Sequence, residues 1–476
     1  MAKQFDIFDI VVIGSGPGGY VAALKAAQMG ASVAVVEKHP FFGGTCLNWG
    51  CIPSKALLAT GELLHTIEGA KNLGVSVEGK ISFDWAAVQK RKDKVIAKLR
   101  GGIKGLFAAR KITTFQGVGR LTGAGKVTVS AADGKSEELS ASKIILAVGS
   151  TPARIPGWPD DPALVCTSDE SLHWKDLPKK LIIVGGGVIG CEFACMMQPL
   201  GVEVNIVEMM PRLLPEMDAE LADALAAVLK KRNIGVHVGV KVESLDATKK
   251  GVKAKLSGGV TIEADRVLVA TGRRPATNGL GLETLGIETQ RGFISVNDRM
   301  ETSAAGVYCI GDANGRCLLA HAASAQGVVA VENALGHSVV FDQPIPWAVF
   351  TFPEIAGVGT TEQRAVEKGL PISIGLFPLG FLGKAMATEH TDGFVKVIRH
   401  RETDELLGVH ILGHNATEMI HAAAAVMSKK GTASDLAEMI FSHPTLSEGV
   451  KEAAEDALGA ALHLPPRNVV EVVAEM

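Results

Sequence analysis

Two stretches of the chain share one pattern: residues 9–19 are DIVVIGSGPGG, and residues 180–190 are KLIIVGGGVIG. Each is an apolar strand followed by a G-x-G-x-x-G turn, which is typical of a strand–turn–helix unit that binds a dinucleotide. The first glycine makes the bend, the second lets the backbone approach a pyrophosphate, and the third lets helix and strand pack closely. A single match could be a structural turn without a ligand, and the repetition argues against that alternative. The glycines are Gly14, Gly16 and Gly19, then Gly185, Gly187 and Gly190.

Each turn is followed at the same distance by an acidic residue. Glu37 and Glu208 lie 23 residues after the first glycine of their repeats, at the end of a second apolar strand. A carboxylate in this place accepts hydrogen bonds from the hydroxyls of an adenosine ribose. Two further similar strands, KIILAVGSTP at 143–152 and RVLVATGRRP at 266–275, close the two repeats. The pattern therefore predicts an α/β fold with two Rossmann-like dinucleotide-binding domains.

Composition excludes several classes of function. The 476 residues include 48 Lys and Arg against 51 Asp and Glu, and this net charge of −3 argues against nucleic-acid binding, which needs a basic surface. Apolar residues make up 47% and charged residues 21%, as in soluble globular proteins. No apolar run is long enough for a membrane span, and MAKQFDIFDIVVIG lacks the features of a signal peptide. We therefore expect a cytoplasmic protein without membrane contact, and the odd number of cysteines, seven, argues against a structural disulfide framework.

The first repeat carries an insertion with unusual residues. Glu37 and Ala147 are 110 residues apart, against 62 between Glu208 and Ala270, and within the longer span GGTCLNWGCIPSKALL occupies 43–58. Its two cysteines have four residues between them and stand just before a predicted helix, whose N-terminus favours thiolates and therefore thiol–disulfide exchange. A metal site is one alternative, but no C-x-x-C or Cys/His pair is near enough to complete four ligands, so no metal is expected. Two inert buried thiols are another alternative, which the residues by themselves leave open.

These motifs together resemble those of the FAD-dependent disulfide reductases, the class I pyridine nucleotide-disulfide oxidoreductases. Within this family the similarity is greatest to enzymes that oxidise dihydrolipoamide, and it extends over essentially the whole chain. It rests on GSGPGG, GGTCLNWGCIPSK, GGGVIG, ATGRRP, VYCIGDA at 307–313 and SHPTLSE at 442–448. The resemblance implies a FAD-binding domain at 1–150, an NAD-binding domain at 151–275, a central domain at 276–346 that completes the FAD site, and an α+β interface (dimerisation) domain at 347–476.

The resemblance also implies a mechanism with six catalytic residues. Dihydrolipoamide exchanges with a disulfide of the enzyme, and the electrons then pass to FAD and on to NAD⁺. Exchange needs a thiolate, and the base that produces it reaches, in this family, the disulfide of the other subunit of a homodimer. The disulfide is Cys46–Cys51, the base is His443 with Glu448 fixing its tautomer, and Lys55 paired with Glu192 lies near the flavin.

Cofactor contacts follow from the same motifs. Glutathione reductases use NADPH and place arginines against its ribose phosphate, whereas Glu208 would repel that phosphate, so NAD is the expected substrate. The expected FAD contacts are Gly14, Gly16, Gly19, Glu37, Lys38, Gly44, Thr45, Lys55, Gly117, Asp312 and Ala320. The expected NAD contacts are Gly185, Gly187, Gly190, Glu208, Val242 and Gly272.

Related enzymes with other activities, and a non-catalytic subunit, are alternatives to this interpretation. Mercuric reductases and large thioredoxin reductases need a further cysteine or selenocysteine pair at the carboxyl end, but the last cysteine here is Cys317. Soluble transhydrogenases lack the cysteine pair, and a non-catalytic subunit would hold flavin without reducing a disulfide. Trp49, between the cysteines, stands where many relatives have Val and could alter access to the flavin. The expected partners are a second copy of the chain, and the lipoyl domains and acyltransferase core of 2-oxo acid dehydrogenase complexes or the lipoyl carrier protein of glycine cleavage.

Overall fold

The computed structural model describes residues 7–159, 161–248 and 251–472. The chain divides into two compact units. The first comprises the chain up to Ala56, Trp85–Ala153 and Gly272–Asp342, and the second comprises Leu57–Asp84, Arg154–Thr271 and the chain from Gln343 onward. Two units are a coarser division than the four predicted domains, whose boundaries stay a prediction. The outermost residues of that prediction, 1–6 and 473–476, lie outside the described residues.

The first repeat begins with the quoted strand and helix and continues through the cysteine segment. Short 3₁₀ turns also occur, of which Ala70–Leu73 follows the helix that begins at the second cysteine. The strands and helices are β1 (Phe8–Ile13), α1 (Pro17–Gln28), β2 (Val33–Glu37), α2 (Gly44–Trp49), α3 (Cys51–Gly69), α4 (Trp85–Ala109), β3 (Thr113–Gln116), β4 (Val118–Gly123), β5 (Lys126–Ser130), β6 (Ser136–Leu146) and β7 (Ser150–Pro152).

The second repeat follows the same order of strand, helix and strand, without a cysteine insertion. Its elements are β8 (Val165–Thr167), α5 (Ser168–Ser171), β9 (Lys180–Val184), α6 (Val188–Met197), β10 (Glu203–Glu208), α7 (Ala219–Lys231), β11 (Gly235–Val238), β12 (Val242–Thr248), β13 (Gly251–Leu256), β14 (Thr261–Ala264), β15 (Arg266–Val269) and β16 (Arg273–Pro275). The chain then forms β17 (Thr289–Gln290), β18 (Phe293–Ile294), β19 (Val307–Cys309), the 3₁₀ turn Gly311–Asn314 and α8 (Ala320–Ala334).

The two repeats build the same sheet. In the first unit the parallel order is β3-β2-β1-β6-β19, and in the second it is β11-β10-β9-β15-β8. An antiparallel three-stranded segment accompanies each sheet: β4-β5-β6 in the first and β12-β13-β14 in the second. The central strands are continuous runs of Val and Ile that are buried along most of their length, as expected for parallel sheets covered on both faces. The fifth strand comes from a different place in each repeat, because β19 follows its sheet in sequence whereas β8 precedes its own.

The glycine turns owe their shape to missing side chains. Gly14 and Gly185 have φ of 102° and 111°, which L-residues rarely adopt. A Cβ at Gly14 would lie 2.3 Å from the carbonyl oxygen of Ala147, and a Cβ at Gly185 would lie 2.4 Å from that of Ala270. In both repeats, therefore, the turn passes so close to the closing strand that only glycine fits.

Residues 347–472 form an antiparallel sheet with helices, which agrees with the predicted α+β domain. Its strand order is β20-β21-β24-β23-β22-β25, and its core contains buried residues from the strands and from the helices packed on them. The elements are β20 (Trp347–Val349), β21 (Glu354–Gly359), α9 (Glu362–Glu367), β22 (Ile372–Pro378), α10 (Gly383–Ala387), β23 (Phe394–His400), β24 (Leu406–Gly413), α11 (Ala416–Met419), α12 (His421–Ser428), α13 (Ala433–Glu438), α14 (Glu448–Ala457) and β25 (Val470–Val472).

A buried charge cluster joins this sheet to the second repeat. Lys396 on β23 is fully buried, and its Nζ lies 3.1 Å from Asp218 Oδ1 and 2.5 Å from Glu362 Oε2. Although burial by itself lowers it, the pKa of Lys396 is raised because Asp218, Glu362 and Glu220 surround the ammonium group. Asp218 also caps α7, since its Oδ1 accepts the N–H of Glu220. The Asp218 carboxylate thus caps the N-terminus of α7 in the second repeat and also forms an ion pair with a strand of the antiparallel sheet.

In the described part of the chain, no helix combines the length and the apolar composition that crossing a membrane requires.

The turn geometry gives a testable stability difference. We expect Gly14→Ala to lower the thermal unfolding midpoint of the protein by several degrees, because a left-handed backbone costs alanine about 1–2 kcal/mol and its Cβ would meet Ala147. Gly101→Ala is the control: it lies inside α4, where no described atom is within 4 Å of a Cβ, and alanine is about 1 kcal/mol better than glycine there. Thermal unfolding followed by circular dichroism measures both, and equal midpoints for Gly14→Ala and wild type would contradict the argument.

Candidate active site

The second glycine of each turn leaves open space in front of a helix N-terminus. Gly16 is the N-cap residue of α1, and the nearest atom to a Cβ built on it is the Cα of Gly44, at 3.9 Å. Gly187 is the N-cap residue of α6, and no atom of the described chain lies within 4 Å of its Cβ position. Glycine has no side chain to cap these helices, so their first N–H groups and the helix dipole are available to a phosphate. Both turns therefore fit the pyrophosphate of a dinucleotide.

The two predicted ribose acids are held in the same way. Glu37 Oε2 accepts the N–H of Ser15 at 2.9 Å, and its Oε1 accepts the N–H of His39 at 2.9 Å. Glu208 Oε2 accepts the N–H of Gly186 at 2.6 Å, and its Oε1 accepts that of Met210 at 2.7 Å.

In each repeat, then, the residue after the first glycine and the second residue after the acid bind the carboxylate from both sides. This fixes its orientation. Oε2 of Glu37 also accepts the Ser15 hydroxyl, at 2.5 Å, but the second lone pair of Glu37 Oε1 and those of the Glu208 oxygens can still accept ribose hydroxyls.

Several predicted FAD contacts converge on the first turn. Gly44 has φ of 55°, and a Cβ on it would lie 2.5 Å from the Cα of Gly16, so the insertion touches the glycine turn directly. Helix α8, which begins at Ala320, packs across α1 so closely that a Cβ at Gly327 would lie 2.7 Å from the carbonyl oxygen of Gly18. The N-termini of α1 and α8 and the loop before α2 thus surround one place, which suits a long anionic cofactor such as FAD.

The remaining predicted FAD residues differ in position. Gly117 is buried and donates its N–H to the carbonyl oxygen of Glu37, which places it at the same edge of the sheet. Lys38 is exposed directly after that acid, and Thr45 is the second residue of α2. Gly19 closes the turn, because a Cβ on it would lie 2.0 Å from the carbonyl oxygen of Gly14.

Asp312 lies in a polar group that sequence reasoning missed. Its Oδ2 accepts the hydroxyl of Ser150 at 2.5 Å and is 3.8 Å from Nε of Arg273. Arg273 also donates to the hydroxyl and the carbonyl oxygen of Ser150, at 2.7 and 2.9 Å, across the β7–β16 pair. The signal was present in the two A-x-G-x-x-P strands, AVGSTP and ATGRRP, because these hold Ser150 and Arg273 at the same offset from the alanine. The arginine and serine orient the carboxylate that is expected to contact FAD.

The predicted NAD residues fall into two groups. Gly185, Gly187, Gly190 and Glu208 form the second turn and its acid, and a Cβ at Gly190 would lie 2.0 Å from the carbonyl oxygen of Gly185, as in the first turn. Val242 begins β12, at the edge of the antiparallel segment. Gly272 belongs to the first unit, so its contact with NAD stays a prediction.

The two cysteines lie where α2 and α3 meet. Gly43, with φ of 101°, starts α2, and Gly50 separates it from α3, whose first residue is Cys51. Cys46 is partly buried, and both residues are thiols in this structure. Cys51 occupies the helix N-terminus, where the dipole favours a thiolate.

The two thiols have different surroundings. The pKa of Cys46 is raised far above the usual range, first by its hydrogen bond with Cys51 and then by burial, although the charge of Lys55 acts in the opposite direction. Two thiols in contact do not ionise together, since the first thiolate disfavours the second. We therefore expect the reduced pair to carry a negative charge on only one of its two sulfurs.

The predicted base and its acid form the expected contact. His443 Nδ1 lies 2.8 Å from Glu448 Oε1, while Glu448 Oε2 accepts the N–H of Thr445 at 2.8 Å. The imidazole is 77% exposed and the carboxylate 23%, so Nε2 of His443 faces outward. Burial by itself would raise the pKa of Glu448, but the N–H of Thr445 and the imidazole lower it. The histidine is thus oriented and tautomerically fixed with a free nitrogen, as a general base requires.

Lys55 and Glu192 lie on different units. Lys55 is on the first turns of α3, and Glu192 is buried on α6, where its Oε1 accepts the N–H of Phe350 at 3.1 Å. Their predicted pairing beside the flavin stays a prediction.

Comparison with known proteins agrees with this arrangement. Residues 8–327 match the sequence model of the pyridine nucleotide-disulphide oxidoreductases, and residues 345–454 match the dimerisation domain of the same family. The chain is 42% identical over 457 residues to the dihydrolipoyl dehydrogenase of Chlorobaculum tepidum, covering 95% of this chain and 97% of that protein. It is 41% identical over 471 residues to the dihydrolipoyl dehydrogenase of Bacillus subtilis, covering 96% and 99%.

Solved structures show the same likeness. LpdA from Mycobacterium tuberculosis superposes with a TM-score of 0.87 at 30% identity, covering 94% of this chain and 98% of that one. The HOCl-induced flavoprotein disulfide reductase RclA from Escherichia coli superposes with a TM-score of 0.83 at 28% identity, covering 94% and 99%. The predicted fold class, two dinucleotide-binding domains with a C-terminal α+β domain, is confirmed.

The Glu448 contacts predict a pH dependence of stability. Because its pKa is lowered on folding, the charged carboxylate stabilises the fold above its unfolded pKa of about 4.3, and this contribution is lost as the pH falls through the lower folded value. We expect the thermal midpoint of Glu448→Gln to lie below that of wild type at neutral pH and to converge with it on acidification below about pH 4. Glu438→Gln, which removes an exposed charge from the same sheet-and-helix region, is the control. A gap that widens on acidification would contradict the assignment.

Proposed function

The chain belongs to the pyridine nucleotide-disulphide oxidoreductase family, and we propose that it oxidises dihydrolipoamide to lipoamide with NAD⁺ as acceptor. As a member, it is a flavoprotein disulfide oxidoreductase that uses FAD and NAD. The single observation that carries the choice of substrate is the neighbouring Cys46–Cys51 pair, in a chain that matches dihydrolipoyl dehydrogenases over nearly its whole length. A dithiol substrate and a two-cysteine centre exchange two electrons and two protons without a further reactant.

The exchange begins at His443. Its Nε2 accepts the proton of one substrate thiol, because Nδ1 is occupied by Glu448. The substrate thiolate attacks Sγ of Cys46 in the oxidised pair, the Cys46–Cys51 bond breaks, and Cys51 leaves as the thiolate that the α3 N-terminus stabilises. The second substrate thiol then displaces Cys46, its proton passes to the departing Cys46 sulfur, and the lipoamide disulfide closes, which leaves the enzyme pair reduced by two electrons.

The residues around the glycine turns supply the rest of the site. Bound FAD provides the two-electron link between the cysteine pair and NAD⁺. Gly16 and Gly44 would leave room for its pyrophosphate, Glu37 would accept its ribose hydroxyls, and Asp312, oriented by Arg273, would also contact it. In the second turn Gly187 and Glu208 would do the same for the pyrophosphate and ribose of NAD⁺.

We expect a homodimer as the working form. Residues 345–454 match the family's dimerisation domain, and the His443 imidazole is exposed rather than enclosed by its own chain. The histidine of one subunit then serves the disulfide of the other. Lipoyl domains, bound to the acyltransferase core of a 2-oxo acid dehydrogenase complex or present as the carrier protein of glycine cleavage, would bring the dithiol to this site, and the cytoplasm is the expected compartment.

The first experiment follows NADH formation from dihydrolipoamide with the purified FAD-loaded protein. We expect turnover with NAD⁺, much less with NADP⁺ because Glu208 repels a ribose phosphate, and none in Cys46→Ser. Cys46→Ser should keep NADH oxidation by a dye, since that reaction bypasses the cysteines. A wild-type protein that holds FAD and reduces dyes but ignores dihydrolipoamide would overturn the substrate and favour a flavin-holding subunit or another disulfide.

Substitution distinguishes the proposed base, His443, from other exposed histidines. His443→Gln should slow dihydrolipoamide oxidation by about 10²–10⁴-fold, the loss typical of a positioned general base. His463→Gln is a matched control, because His463 Nδ1 also lies 2.8 Å from a glutamate, Glu452, and its side chain is 71% exposed. Steady-state rates at saturating NAD⁺ compare the two, and equal losses in both variants would contradict the role of His443.

A further inference from the structure

The cysteine segment is held from outside by a group that we call the aromatic clamp: His39, Phe41, Trp49 and Arg100. The rings of His39 and Phe41 are parallel within 8°, with centroids 5.8 Å apart. Trp49, the last residue of α2, packs against both, with centroid distances of 4.7 and 5.4 Å. Arg100, on α4, places its guanidinium carbon 3.7 Å from the Phe41 ring centroid, a cation–π geometry. All four residues belong to the first unit.

The clamp reaches the segment through a buried amide. Asn48 is 1% exposed, and its Nδ2 donates to the carbonyl oxygens of Phe42 and Gly44 at 3.1 and 2.8 Å. Its Oδ1 accepts Nε of Arg100 at 2.5 Å. The amide thus joins two backbone carbonyl groups that precede Cys46. Its own oxygen, Oδ1, receives its hydrogen bond from Arg100 and not from this part of the backbone.

Helix α2 needs this support. It has only six residues, and helices so short are not stable by themselves. Its N-cap and C-cap residues, Gly43 and Gly50, are both glycines, which lose the most conformational freedom on ordering. When Cys46 and Cys51 are joined as a disulfide, the covalent bond limits the motion of the segment between them. When they are reduced, only noncovalent contacts limit that motion.

We propose that Arg100 and Trp49 are positioning residues for thiol–disulfide exchange, which keep Cys46 facing Cys51 in the reduced pair. The inference rests on the proposed function, in which this pair alternates between disulfide and dithiol. By limiting the motion of Gly44–Trp49, the clamp raises the effective concentration of one thiol at the other. A higher effective concentration favours the disulfide, so the clamp makes the pair harder to reduce and quicker to close again.

The test measures the dithiol–disulfide equilibrium of the FAD-loaded protein in dithiothreitol redox buffers. Each protein disulfide reduced converts one dithiothreitol into its cyclic disulfide, with two electrons and two protons transferred. Cysteines are then alkylated, and mass spectrometry of the peptides reports Cys46 and Cys51 separately from the other five. Arg100→Met keeps an apolar stem of similar length but leaves Asn48 Oδ1 without its donor. Lys98→Met removes the same charge from an exposed position on the same helix and is the matched control.

We expect Arg100→Met to shift the equilibrium toward the dithiol by about threefold to tenfold, tenfold being about 30 mV for a two-electron couple. Lys98→Met should equal wild type, and Arg100→Lys should fall between, because an ammonium group can donate to Asn48 but cannot lie flat on the Phe41 ring. Dye reduction by NADH, which bypasses the cysteines, should be unchanged in Arg100→Met. A purely stabilising role would lower the unfolding midpoint without moving the equilibrium.

An unshifted equilibrium in Arg100→Met, or the same shift in Lys98→Met, overturns the proposal. If Arg100→Met binds no FAD, the titration of Trp49→Leu takes its place: a shift toward the dithiol supports the clamp and no shift overturns it. A wild-type protein whose pair forms no disulfide refutes the proposed function itself, whereas a wild-type disulfide with an unshifted variant refutes only the clamp.

Discussion

Backbone packs directly against backbone inside each glycine turn, and this close approach sets the positions of the helix, the strands and the candidate ligand sites. Gly19 and Gly190 pack against the carbonyl oxygens of Gly14 and Gly185, at a distance that a single Cβ would make impossible. The first glycine of each turn in addition passes the closing strand of its sheet. Because of these approaches, each helix starts directly above the carboxyl ends of the parallel strands, with its N–H groups facing outward. Phosphate binding is thus a consequence of packing, since the same missing side chains that permit the turn also leave the space in front of it.

The two repeats differ in what surrounds this common frame. The second is short and carries little beyond its turn, its acid and the antiparallel segment. The first carries the insertion with α2, α3 and α4, and the structure brings the start of that insertion back onto the turn, where Gly44 touches Gly16. The first turn therefore has further chain beside it, whereas no described atom lies within 4 Å of a Cβ at Gly187 in the second turn. That difference suits a resident cofactor in the first repeat and an exchangeable substrate in the second.

The segment that carries the two cysteines has little stability by itself and is ordered by contacts with the surrounding residues. Short helices between glycines have little stability of their own, and here their order comes from Asn48, from the rings around it and from the long helix α4. Order has a chemical consequence, because it holds the two thiols in contact. The hydrogen bond with Cys51 and then burial raise the pKa of Cys46, whereas Cys51 lies at the α3 N-terminus, where a thiolate is favoured. The two sulfurs thus have different surroundings, although the sequence motif does not distinguish them.

Patterns in the sequence alone predict the two Rossmann-like repeats, the C-terminal α+β domain, the cysteine pair and the histidine with its glutamate. These features are local: a positive φ demands glycine, an apolar run of β-branched residues demands a buried strand, and His443 and Glu448 are close along the chain. The tertiary structure alone decided the contacts between distant residues. Arg273 and Ser150 orient Asp312, and Arg100 donates a hydrogen bond to Asn48. Strand β19, which comes much later in the chain, pairs with β6 at the edge of the first parallel sheet. Periodicity and motif spacing describe neighbours, whereas these contacts depend on which surfaces meet when helices and sheets pack, and that is a property of the whole fold.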